Sequence, residues 1–300
     1  MSLVLLTGAR GLLGSTIQNS LRFHPDIEVV TVKHDDFFPN INPDYIIHCA
    51  AISKQAYDYK DPLAIFEANI LYTQEIIEKY GSSKKPPLFI FPSSIAVYGT
   101  NGHLRCHETT ECKPTNLYSI SKLSTEQMID FYHKMGKING LIFRLSALVG
   151  KRASGPIFEI TKKTLNEEKV ELFGFGPTGT TKIYTSVVDV AHLITSILEK
   201  PDIVGYRDAA ATYNLCSNRE FSIKQIYDIV SNSLNIKKES YFNNQTYQGD
   251  LDYLRADSNA AKLHFNWRPR NEGIIEYGVE CALSLLGQKE RTLVGTSEKF

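Results

Sequence analysis

The chain has 300 residues, 42% of them hydrophobic, which is enough for one large α/β unit or about two domains and excludes a disordered or disulfide-dependent chain. Its 33 basic side chains balance 33 acidic ones, so there is no electrostatic footprint for a nucleic-acid backbone or an anionic membrane. The five cysteines are widely spread with no Cys-x-x-Cys, and no apolar run approaches the ~18 residues of a membrane span. The apolar start at 3–6 is too short for a signal segment and lacks a basic flank, so a cytoplasmic location is expected.

Apolar runs at 3–6, 28–32, 45–52, 88–91 and 140–146 read as buried strands, being continuous rather than alternating and rich in Val, Ile, Leu and Phe. Between them Leu13, Ile17 and Leu21, then Phe66, Ile70, Thr73 and Ile77, then the segment 118–132 follow helical spacing. Strand alternating with helix predicts an α/β fold, a Rossmann-type doubly wound parallel sheet. Only about a dozen residues separate the second and third strands, too few for a crossover helix plus an extra strand, so the sheet is expected to be trimmed there.

Past Gly150 the pattern loosens around two turn clusters, Gly155-Pro156 and Gly174-Phe175-Gly176-Pro177. A helix at 187–198 and a strand at 213–216 return to the first unit, while 220–286 reads as small helices and loops. The expected division is a dinucleotide-binding domain of 1–150 plus about 183–217, a smaller mixed domain of 151–182 plus about 218–286, and a polar tail at 287–300.

The first strand runs into Thr7-Gly8-Ala9-Arg10-Gly11-Leu12-Leu13-Gly14 and then an amphipathic helix. Glycines at 8, 11 and 14 suit a tight turn, close approach of a pyrophosphate and close helix-to-strand packing, so Gly8, Arg10, Gly11, Leu12 and Leu13 are candidate dinucleotide contacts. At the end of the second strand, where an NAD site places a carboxylate, the chain has Lys33 and His34. Arg10 and Lys33 suit a 2′-phosphate and favour NADP, whereas Asp35 and Asp36 follow at once and would restore NAD if the strand ends later.

Tyr118-Ser119-Ile120-Ser121-Lys122 puts a phenol and an ammonium one helical turn apart. The same spacing at Tyr80 and Lys84 is broken by Gly81 and leads into Lys85-Pro86-Pro87, where no helix continues. Ser94 follows a predicted buried strand, at the sheet edge where ligands of such folds bind. His103, Cys106, His107 and Cys112 lie within ten residues, but their spacing is not that of a zinc ribbon, and no metal site is assigned.

Together with these motifs, His48-Cys49-Ala50-Ala51, Asn69, Ser94-x-x-Val97-Tyr98-Gly99, Pro114-x-x-x-Tyr118-x-x-x-Lys122, Val187-Val188-Asp189-Val190-Ala191 and Asn266-Trp267-Arg268-Pro269 resemble the extended short-chain dehydrogenase/reductase family. The resemblance is to its nucleotide-sugar epimerase, dehydratase and reductase group and spans 3 to about 285. It implies hydride transfer at a sugar carbon, with Tyr118 as acid or base, Lys122 favouring the phenolate, Ser94 holding the substrate oxygen, and Ala50, Ala51, Asn69, Tyr118 and Lys122 against the cofactor. It also implies a homodimer and makes the smaller domain the substrate-binding one.

Ile95 and Ala96 stand where the group's 4,6-dehydratases have an acid pair, which argues against dehydration. Arg10, Lys33 and Arg144-Leu145-Ser146 resemble the NADPH-dependent 4-keto-sugar reductases of the dTDP-4-dehydrorhamnose type. The Ser94 motif and the C-terminal segment resemble the NAD-dependent UDP-glucose 4-epimerases. Ala147, Lys182 and Thr246 or Tyr247 replace residues that commonly bind substrate, leaving Lys182 and Arg255, with Lys151 and Arg152, as substrate-side cations. A non-catalytic NADP-binding sensor is the alternative of a different class, against which both Tyr118 and Lys122 count.

Overall fold

The computed structural model describes residues 1–33, 37–53, 61–81, 84–100, 105–204, 209–245 and 254–287. In chain order the first half comprises β1 (Ser2–Thr7), α1 (Leu12–Leu21), β2 (Ile27–Val32), β3 (Tyr45–His48), α2 (Pro62–Phe66), α3 (Tyr72–Tyr80), β4 (Leu88–Ser94), α4 (Leu117–Lys134) and β5 (Asn139–Leu145). There follow β6 (Ala147–Val149), α5 (Pro156–Asn166), β7 (Lys169–Leu172), β8 (Thr181–Ser186), α6 (Val187–Glu199), β9 (Ala211–Leu215) and β10 (Glu220–Ser222). The chain continues through α7 (Ile223–Leu234), β11 (Glu239–Phe242), α8 (Asn259–Phe265) and α9 (Ile274–Leu285).

Six parallel strands form one sheet in the order β2-β1-β3-β4-β5-β9. This is the expected Rossmann-type fold, and β2 is its edge, as the short connection to β3 requires. Strand periodicity splits the core between the two faces. Val4, Leu6, Leu88, Ile90, Leu141 and Phe143 pack in the cluster that includes Ile17 of α1 and Ile194 of α6. Leu5, Phe89, Phe91 and Ile142 pack on the other side with Ile76 of α3 and Ile129 of α4. With both faces covered, polar chemistry is confined to the sheet's ends. The order reverses about β1, so the crevice for a ligand opens beyond the carboxyl ends of β1 and β3.

Several elements differ from the sequence reading. β3 stops at His48, four residues before the apolar run does. Helices α2 and α3 are joined through a π turn, Glu67–Leu71, that buries Asn69. The loosened region contains α5, and α7 is a 12-residue helix whose Ser222 and Gln225 form a reciprocal capping box. Strand β8 pairs with β6 and β10, and β7 pairs with β11, giving two small sheets. Their strands are three to six residues long, too short for periodicity to reveal. Ile157, Val170, Tyr184, Phe221, Ile226 and Val279 join in a separate hydrophobic cluster there.

A buried ion pair ties the central strands to α4. The Arg144 guanidinium on β5 donates from Nε to both Glu126 oxygens at 3.1 Å and from Nη2 to Oε2 at 2.6 Å. Ser93 of β4 donates to the same carboxylate, and Arg144 Nη1 reaches the Tyr98 hydroxyl at 2.9 Å. Tyr98 in turn donates to Asn214 of β9 at 2.8 Å. Both charges are under one-tenth exposed, so neither has water to fall back on. Glu126→Ala should therefore destabilise the fold by about 3–5 kcal/mol, read from the urea midpoint, because it strands the Arg144 charge. An unchanged midpoint would show that the pair contributes nothing.

Candidate active site

The glycine turn is built by close approach. Gly8 has φ +66°, and a Cβ there would lie 2.5 Å from Ala50 N. A Cβ on Gly14 would lie 2.3 Å from Gly8 O, so helix and strand meet at a distance only glycine permits. At Gly11, by contrast, a Cβ would meet only Gly8 O, at 3.2 Å. Gly11 caps α1 without a side-chain hydrogen bond, and the first turn has no acidic residue. An open backbone facing an unneutralised helix N-terminus fits a pyrophosphate.

Buried Leu13 anchors this turn and half-buried Leu12 flanks it, while Arg10 is exposed. Arg152, in the turn after β6 with φ 74°, donates from Nη1 to the Arg10 carbonyl at 3.0 Å and brings a second cation to the turn. Lys33 is exposed at the end of β2, and its carbonyl accepts from the Tyr72 hydroxyl at 3.3 Å. His34, Asp35 and Asp36, which bear on the choice of dinucleotide, lie outside the described residues. Ala50 and Ala51 follow β3 at the same edge. The Asn69 side chain is a brace there: it accepts from Ile52 N at 2.7 Å and donates to Ile52 O at 3.1 Å and to Ser121 Oγ at 2.9 Å.

Tyr118 and Lys122 stand one turn apart on α4, whose Asn116 and Ser119 form a reciprocal capping box. Lys122 is 4% exposed, yet its Nζ donates to the Pro92 carbonyl at 2.9 Å and lies 4.4 Å from the Phe91 ring centroid. It is 5.9 Å from the centroid of the Tyr118 ring. Burial pulls the ammonium down to a pKa of about 8, so it still bears its charge at neutral pH. At that separation, with an effective dielectric of about 20, it stabilises negative charge on the phenol by roughly 3 kcal/mol.

Ser94 ends β4, and its Oγ accepts from Ala96 N–H at 3.1 Å. That use of a lone pair leaves the hydroxyl proton for a substrate oxygen. The thiol of Cys49 is pushed up to about 12 by burial against the pull of Lys122, so it is inert here.

The other predicted residues are held by different partners. Lys182 lies on β8 opposite Phe221 of β10. Arg255 Nε lies 2.8 Å from Glu220 Oε2, and Arg105 Nη2 lies 2.8 Å from Glu220 Oε1. Cys106 is buried in the cluster around Tyr98 and Cys216 and bridges backbone to Ala256, while His107 Nδ1 lies 2.9 Å from Thr109 Oγ1. No group of three or more metal-ligating side chains occurs among the described residues, and His103 lies outside them. Sequence reasoning missed Glu126, although its spacing of four from Lys122 puts it on the same helix face.

His48 ends β3 fully buried and is bonded through both ring nitrogens. Burial, reinforced by the nearby Lys122 charge, pulls its pKa to about 3. Below the ordinary histidine pKa of about 6.5 the unfolded chain takes up a proton that the folded one refuses. His48 should therefore contribute stability that is complete above pH ~6.5 and lost as the pH falls towards 3, about 2 kcal/mol of it by pH 5. Urea midpoints of the wild type and His48→Phe between pH 5 and 8 check this; parallel profiles would refute it.

A model described as the NAD dependent epimerase/dehydratase family matches residues 4–216. The chain is 23% identical over 323 residues to a putative UDP-glucose 4-epimerase of Methanocaldococcus jannaschii, covering 97% of this chain and 100% of that one. It is 22% identical over 303 residues to a GDP-6-deoxy-D-mannose reductase of Pseudomonas aeruginosa, covering 93% and 95%. Among solved structures it is similar to RMD from Pseudomonas aeruginosa complexed with NADPH, with a TM-score of 0.79, 20% identity, and 95% and 98% of the two chains covered. A family match over most of the chain, on a fold that holds the glycine turn and the Tyr118–Lys122 pair at one sheet edge, makes this an enzyme of the NAD-dependent epimerase/dehydratase family.

Proposed function

We propose that the protein is an NADP-dependent oxidoreductase acting on a nucleotide-diphosphate sugar, as a reductase of a 4-keto sugar. The observation that carries this reading is the charge at the dinucleotide turn, where Arg10, Arg152 and Lys33 are cations. A 2′-phosphate suits such a set, and a bare ribose does not require it. The similarity to a GDP-6-deoxy-D-mannose reductase supports the same reading. The 4-epimerase reading is favoured instead by the full-length similarity to a putative UDP-glucose 4-epimerase.

Gly8, Gly11, Leu12, Leu13 and the cations would hold the dinucleotide, with Ala50 and Ala51 along its path. The dihydronicotinamide that these residues would hold would supply a hydride for a substrate carbonyl carbon. Tyr118 delivers the proton to the carbonyl oxygen as that oxygen becomes an alcohol. The Lys122 ammonium stabilises the phenolate left behind, and the Ser94 hydroxyl donates to the same substrate oxygen and fixes it beside the phenol. Arg105 and Arg255 share one carboxylate, Glu220, so the trio keeps a net positive charge suited to a sugar diphosphate, with Lys182 on the neighbouring strand. The small sheets and their cluster, 151–182 plus 218–286, would then form the substrate-binding domain.

No helix among the described residues is long and apolar enough to cross a membrane. The odd number of cysteines, widely spread and without Cys-x-x-Cys, supports a cytoplasmic location. Leu63, Leu71, Ile120, Phe131 and Met135 are 63%, 50%, 37%, 58% and 55% exposed on the adjoining α2–α3 and α4 segments, which supports a homodimer through this face.

Cofactor-free protein should bind NADPH at least tenfold more tightly than NADH, a difference of about 1.4 kcal/mol, by nicotinamide fluorescence. It should oxidise NADPH with a dTDP- or GDP-linked 4-keto-6-deoxy sugar, and Tyr118→Phe should lower kcat by roughly 10²–10⁴. Tighter NADH binding with interconversion of UDP-glucose and UDP-galactose would instead establish the epimerase. Sedimentation should show a dimer that Phe131→Glu converts to monomer; a monomeric wild type would refute that interface.

A further inference from the structure

His48 stands behind the cofactor turn, and the sequence motif that contains it assigns it no role. Its two ring nitrogens lie between two threonines, Thr7 Oγ1 at 2.8 Å from Nδ1 and Thr73 Oγ1 at 2.9 Å from Nε2. The direction of each bond follows from its neighbours. Thr73 spends its only proton on the Asn69 carbonyl, at 2.8 Å, so it must accept from His48, and Nε2 is the protonated nitrogen. Nδ1 is then an acceptor and takes the Thr7 proton, while Thr7 itself accepts from Ala50 N–H at 3.2 Å.

The chain continues beyond Thr73. Asn69 donates to Ser121 Oγ at 2.9 Å, and Ser121 donates to the carbonyl of Tyr118 at 2.8 Å. One end is thus Ala50, against whose nitrogen Gly8 is packed so closely that no Cβ fits. The other end is the backbone of Tyr118. Thr7, His48, Thr73 and Ser121 are fully buried and Asn69 is 2% exposed, so water does not compete at any link.

The ring is also held in plane. It lies 6.1 Å from Phe91 with an interplanar angle of 18°, and Tyr72 and Phe89 flank it at 5.8 and 5.9 Å. The charged group acting on it is the Lys122 ammonium, which opposes an imidazolium. A second proton would leave Nδ1 and the Thr7 hydroxyl as facing donors.

We infer that His48 is a positioning residue: as one neutral tautomer it sets the dinucleotide turn and the Tyr118 helix at a fixed separation, through a buried one-way chain of hydrogen bonds. A dinucleotide seated on the glycine turn and reaching Tyr118 would touch both elements, so its affinity would read their separation, although His48 and Thr73 are fully buried and offer it no surface. The inference rests on the dinucleotide reading of the glycine turn, and the test keeps the two apart.

The experiment is a titration of cofactor-free wild type, Thr73→Ser, Thr73→Val and His48→Phe with NADPH and with NADH, well below each melting temperature. Nitrogen-15 NMR of the His48 ring accompanies it. Thr73→Ser keeps the hydroxyl and should bind the preferred dinucleotide within about twofold of wild type. Thr73→Val and His48→Phe, which cut the chain, should bind it about tenfold more weakly. The ring should be neutral with its proton on Nε2. Thr73→Val and His48→Phe binding as tightly as wild type, with only their melting temperatures lowered, would reduce the chain to a structural role and overturn the inference. So would a proton on Nδ1. Should the wild type bind neither dinucleotide, the reading of the glycine turn falls, and the inference with it.

Discussion

A lysine ammonium with 4% of its surface exposed is the constraint around which the site is arranged. A buried charge is tolerated only where its hydrogen bonds and its field are provided for. Here one proton goes to the Pro92 carbonyl, and the Phe91 ring face covers another side. The surrounding titratable groups accommodate the charge. His48 is kept neutral, the Cys49 thiol is kept protonated, and Glu126 lends a counter-charge from the next turn of the helix. Glu126 is shared with Arg144, which bonds it directly, so it offsets the ammonium's field less than an unpaired carboxylate would.

The sheet supplies the platform. Because α helices cover both faces, every central strand is apolar along its length, and polar residues gather where the strands stop. Thr7, His48 and Ser94 each end a strand. Their position at one edge is a property of parallel topology rather than of any pairwise attraction. Helix α4 is then fixed against that edge by two successive rungs, Lys122 on Pro92 and Glu126 on Ser93, which places Tyr118 relative to the next residue, Ser94.

What the sequence made legible is what is local. The glycine turn lies within eight residues, and its three glycines have reasons in backbone geometry that need no partner beyond the adjoining strand ends. The parallel doubly wound sheet followed from alternation, and its trimming beside β2 from a connection too short for a crossover helix plus an extra strand. The pairing of Glu126 with Arg144 depends on β4 and β5 being neighbours, and that of Arg255 with Glu220 on the docking of a loop against β10. Neither is encoded in spacing. The π turn that buries Asn69 is also invisible beforehand, since a single inserted residue changes a helix's phase without changing its composition. Asn69 was expected beside the cofactor, and its amide is in fact occupied by Ile52 and Ser121, so its place at the site is that of a brace.

The two Tyr-x-x-x-Lys pairs show how far a motif goes by itself. Tyr80 and Lys84 have the spacing of Tyr118 and Lys122, but α3 ends at Tyr80, the tyrosine hydroxyl donates to the Pro39 carbonyl at 3.1 Å, and Lys84 is exposed. In high dielectric an ammonium at a similar distance is worth less than about 1 kcal/mol to a phenolate, against roughly 3 in the buried pair. Spacing brings two groups to one face only where the helix continues, as α4 does and α3 does not, and exclusion of water gives that proximity its effect. The exclusion comes from Phe91, Pro92 and the Glu126–Arg144 pair, residues contributed by two strands and one helix far apart in the chain. A Tyr-x-x-x-Lys spacing is thus a place to look for a proton-transfer site, and the buried shell around the lysine decides which of the two pairs is one.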